Sequence, residues 1–155
     1  MRCTGVAGLA FSFADAEALP FAAAEFDVVL NVESSHCYGD VRAFVAEAAR
    51  VLRPGGRFLL ADFRAPAEMA ALEALLRAQP GLKLVEREDI TANVVLALEQ
   101  DDARKRRLIG ERTSTLWRGL MQEFAGQRGG LVYRGFAARD ILYSRFACRK
   151  LAEAS

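Results

Sequence analysis

One stretch of the chain, residues 26–62, most restricts the fold that this sequence can adopt. It begins with Phe26-Asp-Val-Val-Leu-Asn-Val, a short apolar run rich in β-branched residues and typical of a strand buried on both faces. Helical spacing starts after Asp40, whose side chain is placed to cap a helix. Arg53-Pro-Gly-Gly then ends the helix, and a second apolar run covers residues 57–62. This order predicts a βαβ unit with parallel strands and a right-handed crossover.

A polar segment, residues 31–38, follows the first of these strands and is called the elbow below. Small polar ligands bind beyond the carboxyl ends of parallel strands, so the elbow is where we expect function. His36 is the only histidine of the chain and lies on this segment. An imidazole titrates near neutral pH, which suits a general base. The alternative is a surface histidine or a structural histidine held by hydrogen bonds.

The other elements are predicted from local patterns of apolar residues, prolines and glycines. Charges are frequent in residues 82–90, which favours a strand near a sheet edge. Thr91 is placed to cap the helix that follows. In chain order we predict a strand at residues 9–14, a loop or single turn at 15–21, a helix opening at Pro66, a turn at Pro80-Gly81, a strand at 82–90, helices across 91–128 and a final strand at 140–148.

Composition bounds the class of protein. The 155 residues are 52% hydrophobic and 26% charged, which predicts a globular domain with a real core. The net charge of +1 gives no reason to expect nucleic acid or an anionic membrane as partner. Cys3, Cys37 and Cys148 lack metal-ligand spacing and are odd in number, so we expect reduced thiols in the cytoplasm and no metal. No apolar run approaches the roughly 20 residues of a membrane helix, and the N-terminus does not resemble a signal peptide.

Two motifs then converge on one family. Asp15-Ala-Glu-Ala-Leu-Pro-Phe21 precedes the first strand of the βαβ unit, and Val51-Leu-Arg-Pro-Gly-Gly-Arg57 precedes the second. In this order and spacing they resemble class I S-adenosylmethionine-dependent methyltransferases, and the elbow is similar to that of the phthiotriolone-type branch, which acts on small molecules and lipids. The resemblance implies an α/β fold, a truncated Rossmann-like sheet with strands equivalent to 3, 4, 5, 6 and 7 of the family order 3-2-1-4-5-7-6. A helical insertion, residues 91–128, would precede the last strand and roof an apolar substrate pocket.

The resemblance also implies a cofactor, S-adenosyl-L-methionine, and residues that hold it. Asp15 would accept a hydrogen bond from the adenine amino group, and the backbone N–H of Ala16 would donate to a ring nitrogen. Asn31 and Val32 match positions that face the methionine part of the cofactor. A turn-capping aspartate is the alternative reading of Asp15, and a strand terminus satisfied by backbone is that of Asn31.

Methyl transfer from a sulfonium is a direct displacement, so the protein mainly aligns the reactants and excludes water. A base is needed only when the acceptor must lose a proton, as a hydroxyl does. We therefore expect a small-molecule or lipid-like acceptor that presents a hydroxyl, with His36 as the base. Glu33 and Tyr38 are the candidates for orienting that acceptor.

The sequence departs from the family pattern at its front. The Gly-rich loop after the family's first strand is absent, since only Gly5 and Gly8 precede the Asp15 motif. We therefore expect residues 1–155 to form a single partial domain with impaired cofactor binding and an exposed apolar edge. Residues 9–14 would then pair beside the central strand, leave the edge free for a homodimer, or pack irregularly. A non-catalytic interaction module and a half-enzyme completed by another chain remain the alternatives.

Overall fold

The computed structural model describes residues 7–112 and 130–152, and within residues 102–112 only the backbone. A short 3-10 turn, Ser35–Cys37, lies within the elbow. The other elements, in chain order, are β1 (Phe26–Val32), α1 (Val41–Val51), β2 (Leu52–Arg64), α2 (Pro66–Ala78), β3 (Leu82–Asp89), α3 (Thr91–Arg112), α4 (Leu131–Ala137) and β4 (Leu142–Lys150).

The predicted βαβ unit is confirmed. β1 pairs with β2 in parallel, and α1 lies between them in sequence. The Asp40 carboxylate caps α1 by accepting the backbone N–H of Ala43 at 3.0 Å. In the first part of β2, a Cβ on Gly56 would lie 2.9 Å from the carbonyl oxygens of Arg53 and Asp27. Only glycine fits there, because both of those neighbours are backbone atoms.

The strands form one sheet in the order β1-β2-β4-β3, with β4 antiparallel to both of its neighbours. This order is that of the last four strands of the predicted sheet, and the predicted fold class is confirmed. Helices α1 and α2 cover one face of the sheet through a common apolar core. Its buried members include Phe44, Val45, Leu52, Phe58, Leu60, Met69, Leu72, Leu76, Phe146 and Cys148.

The predicted strand at residues 9–14 is wrong. That segment has no strand pairing, and its large side chains are exposed: Leu9 at 49%, Phe11 at 55% and Phe13 completely. Alternating apolar residues form a strand only where a neighbouring strand satisfies their backbone groups and a core receives one face. This segment has neither among the described residues. Residues 9–14 are therefore irregular and do not pair beside the central strand, while the predicted homodimer stays a prediction.

The predicted cap at Thr91 is also wrong, although α3 begins at that residue. The Thr91 side chain is buried and accepts the backbone N–H of Tyr143 at 2.9 Å. Asp89, two residues before Thr91, bonds the first N–H group of α3 instead: its carboxylate accepts the backbone N–H of Thr91 at 3.0 Å and pairs with Arg139. Burial opposes ionisation of Asp89, but hydrogen bonds from the Thr91 hydroxyl and N–H, together with Arg139, outweigh it and lower the pKa of its carboxyl to about 2.

The remaining element predictions are confirmed within a residue or two. Pro66 opens α2, and the Pro80-Gly81 turn is closed by a bond from Leu82 N–H to Gln79 O at 3.2 Å. β3 lies at a sheet edge, and α3 covers the first part of the predicted insertion. Residues 113–128 of that insertion lie outside the described residues. Within the described part of the chain, no helix combines the length and the apolar character needed to cross a bilayer.

Candidate functional site

The elbow lies where the carboxyl ends of β1 and β2 meet. Val32 is paired beside Ala61, and the next residue along, Glu33, donates its backbone N–H to Ala61 O at 2.9 Å. Glu33 has a φ of +50°, a left-handed conformation that non-glycine residues adopt uncommonly. The chain then turns sharply into the 3-10 turn. This turn brings Ser35 and His36 against the end of β2.

Asp62 of β2 is the centre of a buried polar cluster. Its side chain is fully buried and accepts a short hydrogen bond from the Ser35 hydroxyl. It also accepts the backbone N–H groups of His36 and Phe63, each at 2.9 Å. Arg64 donates to Ser35 Oγ at 2.9 Å and lies 3.6 Å from the Asp62 carboxylate. A buried carboxylate with this many donors is held in one orientation.

The same carboxylate fixes the ring of His36. Nδ1 of His36 lies 2.7 Å from Asp62 Oδ1, and the ring packs on Phe63 with 4.3 Å between centroids. A neutral imidazole that donates from Nδ1 to a carboxylate carries its acceptor lone pair on Nε2. His36 keeps 26% of its side chain exposed. The arrangement can therefore take a proton from a group bound at the elbow, the chemistry of an oriented general base.

Asn31 and Tyr38 form a second, smaller network at the elbow. Nδ2 of Asn31 donates to Ser34 Oγ at 2.8 Å and to the Tyr38 hydroxyl at 2.9 Å. The Tyr38 hydroxyl in turn donates to Ser34 Oγ at 3.1 Å. The Asn31 amide is thus held by side chains rather than by backbone. Its Oδ1 is buried and has no hydrogen-bond partner among the described residues.

Asp15 lies in the predicted turn and stabilises it. Its Oδ1 accepts the backbone N–H of Glu17 at 2.9 Å, and its carbonyl accepts the N–H of Ala18 at 3.2 Å. The turn-capping interaction is therefore present, and it leaves the other carboxylate oxygen for a ligand. Ala16 packs against the core.

Two residues of α1 anchor the loop that carries Asp15. Glu47 accepts the backbone N–H of Leu19 at 2.8 Å, and Arg50 donates to the carbonyls of Leu19 and Phe21 at 2.9 and 2.8 Å. Their mutual hydrogen bond lowers the pKa of Glu47, against a smaller opposing effect of burial, and raises that of Arg50. The loop is thereby fixed to the helix that follows the elbow.

Sequence reasoning missed Asp62, Ser35, Arg64 and Tyr143. Asp62 had a usable signal, since it is a polar residue that ends an apolar strand, as Asn31 is on β1. Tyr143 had no local signal. Its hydroxyl donates to Glu33 Oε1 at 2.8 Å, across 110 residues of sequence.

Within residues 7–101 and 130–152, whose side chains are described, no three His, Cys, Asp or Glu residues are grouped so as to hold a metal ion. Cys37 is exposed and Cys148 is buried, and both are free thiols. Cys3 lies outside the described residues.

Comparison with solved structures defines the class of protein to which this fold belongs. A crystal structure assigned to a sarcosine dimethylglycine methyltransferase from Galdieria sulphuraria matches 90% of this chain and 58% of its own, at a TM-score of 0.75 and 14% identity. A geranyl diphosphate methyltransferase in complex with SAM matches 89% of this chain and 56% of its own, at 0.61 and 18%. The fold is therefore that of the Rossmann-like methyltransferases.

Sequence comparison points to methyltransferases as well. Residues 2–60 match the family described as a methyltransferase domain. The phthiotriol/phenolphthiotriol dimycocerosates methyltransferase of Mycobacterium tuberculosis is 41% identical over 143 residues, 92% of this chain and 53% of the relative. A fatty-acid O-methyltransferase of Mycolicibacterium smegmatis is 37% identical over 82% of this chain and 46% of its own length. The chain is therefore similar to these methyltransferases in sequence and in fold, and it spans about half the length of the curated relatives it matches.

Proposed function

We propose that this chain takes part in S-adenosyl-L-methionine-dependent methyl transfer to a hydroxyl of a small-molecule or lipid-like acceptor. The observation that carries the proposal is His36 Nδ1 held 2.7 Å from the buried Asp62 carboxylate at the elbow. Transfer to a hydroxyl is the case in which such a base is useful. The names of the relatives, which include dimycocerosates and fatty-acid methyltransferases, support a lipid-like acceptor.

In this proposal each elbow residue has one role. His36 Nε2 receives the acceptor proton, and Asp62 orients the ring and stabilises the imidazolium that forms. Glu33 contacts the acceptor. Tyr38 was predicted to do the same, but its hydroxyl is bound to Asn31 and Ser34, so we assign it to holding Asn31 in place.

The residues proposed for the cofactor fit its chemistry. Asp15 has one carboxylate oxygen for the adenine amino group, and the N–H of Ala16 lies next to it in the chain. Asn31 has a buried oxygen without a partner among the described residues, which suits a donor group of the methionine part. Val32 follows it at the end of β1. When bound, the cofactor would supply the methyl group.

Further parts of the proposal concern the chain as a whole. Residues 1–155 form a single partial methyltransferase domain in which cofactor binding is weakened, because they contain no Gly-rich loop. Residues 91–128 act as a substrate lid. The free thiols of Cys37 and Cys148 support a cytoplasmic location.

The second candidate is an interaction module or a half-enzyme that another chain completes. It is favoured by the exposed apolar side chains of β1, an edge strand in the described sheet: Val28 at 51%, Leu30 at 67% and Val32 at 52%. An edge of this kind offers unpaired backbone groups and an apolar face for pairing. The partner is either a second copy of this chain or a polypeptide that carries the missing Gly-rich loop.

Calorimetric titration with S-adenosylhomocysteine tests the cofactor site directly. We expect weak but measurable binding that Asn31→Ala abolishes, whereas Asn93→Ala, an exposed amide on α3, leaves it unchanged. Transfer of radiolabelled methyl groups to decan-1-ol then tests turnover. Binding without turnover in any preparation favours the interaction module, and binding equal in both variants contradicts the proposed role of Asn31.

Sedimentation velocity separates the two forms of the second candidate. A homodimer that pairs through β1 dissociates in Leu30→Lys and persists in Leu96→Lys, a matched exposed leucine on α3. A monomer at all concentrations, with cofactor affinity restored only by an added Gly-rich half, supports the half-enzyme. A dimer unaffected by Leu30→Lys contradicts pairing through this strand.

A further inference from the structure

Glu33 is held in an unusual conformation by groups from two other strands. Its backbone has a φ of +50°, and its N–H is bonded to Ala61 of β2 at 2.9 Å. Its carboxylate accepts the hydroxyl of Tyr143, from β4, at 2.8 Å. A residue in a sparsely populated region persists only where its surroundings fix it, and such residues concentrate at functional sites.

Tyr143 is a rigid donor for this bond. The residue is only 7% exposed, and its ring lies 6.3 Å from the rings of both Phe63 and Phe136. Phe63 in turn packs on His36. One aromatic row therefore connects the side chain that holds Glu33 with the side chain proposed as base.

The charges at the elbow are not balanced. Asp62 has Arg64 at 3.6 Å, but Glu33 has no cationic partner among the described residues. Glu33 is exposed, so its negative charge acts on any ligand that binds at the elbow. A fixed carboxylate accepts a hydrogen bond from a hydroxyl and repels an anionic group.

We propose that Tyr143 is a positioning residue that holds the Glu33 carboxylate at the elbow, where the carboxylate selects a hydroxyl acceptor over an anionic one. The inference rests on the proposed function, because it concerns the acceptor of that same site. It assigns Glu33 to acceptor selectivity, and it assigns Tyr143 to the orientation of Glu33 rather than to chemistry.

The test compares two probes of equal chain length, decan-1-ol and decanoate, as methyl acceptors for the full chain. We expect wild type to favour the alcohol and Glu33→Gln to lower the alcohol-to-acid ratio of kcat/KM roughly tenfold, by removing the repulsion. Tyr143→Phe should lower the ratio several-fold, because the Glu33 carboxylate is still present but no longer held by the Tyr143 hydroxyl. The control, Glu73→Gln, removes a surface ion pair with Arg77 on α2 and should leave the ratio unchanged.

A ratio separates positioning from general damage, because loss of folded protein lowers both rates equally. If Glu33→Gln leaves the ratio unchanged, the selectivity role is refuted. If Glu33→Gln changes it and Tyr143→Phe does not, the role of Tyr143 is refuted.

Binding of the same probes, followed by the NMR signal of His36, separates this inference from the proposed function. His36 is the only histidine, so its imidazole gives a single reporter. If neither probe is methylated but the alcohol binds preferentially and Glu33→Gln removes the preference, the proposed function fails and the inference stands. If neither probe reacts or binds, or both bind equally in wild type, the inference is overturned.

Discussion

Replacement of Asp62 by asparagine probes the buried cluster at the elbow with the smallest change of shape. Oδ1 of Asp62 receives the N–H of Phe63 and lies 2.7 Å from His36 Nδ1. Oδ2 receives the N–H of His36 and the hydroxyl of Ser35. Asparagine has one oxygen, so either orientation of its amide turns an NH₂ group toward a backbone N–H. One buried N–H therefore loses its acceptor whichever way the amide lies.

The expected loss of stability follows from the N–H group that loses its acceptor. A buried donor left without a partner costs about 1–3 kcal/mol, and the amide NH₂ that faces it adds a cost of similar kind. Arg64 also loses the negative charge that lies 3.6 Å away. We expect Asp62→Asn to lower the free energy of unfolding by about 2–4 kcal/mol, measured by urea denaturation. The control is Asp27→Asn, whose 78%-exposed side chain pairs with Arg53 at the surface and should cost less than about 1 kcal/mol.

The same variant tests the proposed chemistry. An asparagine amide that donates to His36 Nδ1 selects the opposite tautomer, with the proton on Nε2, so His36 can no longer accept one there. Any methyl transfer to decan-1-ol should fall by roughly 10²–10⁴-fold. If Asp62→Asn lowers the free energy of unfolding by less than about 1 kcal/mol, the argument that one backbone N–H loses its acceptor is refuted. An unchanged rate in folded protein would refute the role of His36.

Three further predictions concern stability. Gly56→Ala should destabilise the fold by about 1–3 kcal/mol in urea, because its Cβ would meet two carbonyl oxygens at 2.9 Å, whereas Gly39→Ala, with its nearest contact at 3.5 Å, should cost less. The pKa of Asp89 is lowered to about 2, so the ionised carboxylate stabilises the fold above about pH 4, and this stabilisation is lost as the pH falls toward 2. In Asp89→Asn, the free energy of unfolding measured as a function of pH should therefore lose about 2 kcal/mol of its acid dependence. Burial, and then Glu33, raise the pKa of Tyr143, so its contribution is present below about pH 10 and is lost above it, and Tyr143→Phe should flatten the alkaline limb of thermal unfolding.

The parts of the fold that sequence predicted are those fixed by residues within one or two turns of each other. Asp40 caps α1 through a group three residues away, and the Pro80-Gly81 turn closes between Gln79 and Leu82. Pro66 opens α2 because its missing N–H is not needed there. These interactions are local, so their signals are visible in the order of the residues.

The wrong predictions depended on distant partners. Residues 9–14 alternate as a strand does, but no described neighbour pairs with them. Threonine is a residue type that often caps helices, yet the hydroxyl oxygen of Thr91 accepts the backbone N–H of Tyr143 on β4 instead. The site shows the same division. His36 could be proposed from the sequence because it lies on the elbow, whereas Tyr143 contacts Glu33 from 110 residues away.

Hydrogen bonds hold the elbow region on one side, whereas apolar side chains are exposed on the other, and we predict that this arrangement couples ligand binding to association. On the helix side, Arg50 and Glu47 tie the Asp15 loop to α1 with direct hydrogen bonds. On the opposite face, Leu30 and its neighbours on β1 remain exposed. The residues proposed for the cofactor at the end of β1 lie on the same strand as these exposed side chains, so we predict that a partner covering them would also stabilise the proposed site. Binding that requires the ordered strand must then strengthen association by the same factor as association strengthens binding. Affinity for S-adenosylhomocysteine should therefore rise with protein concentration, and an affinity that is constant across the monomer–dimer range would show that the exposed side chains of β1 and the elbow are independent.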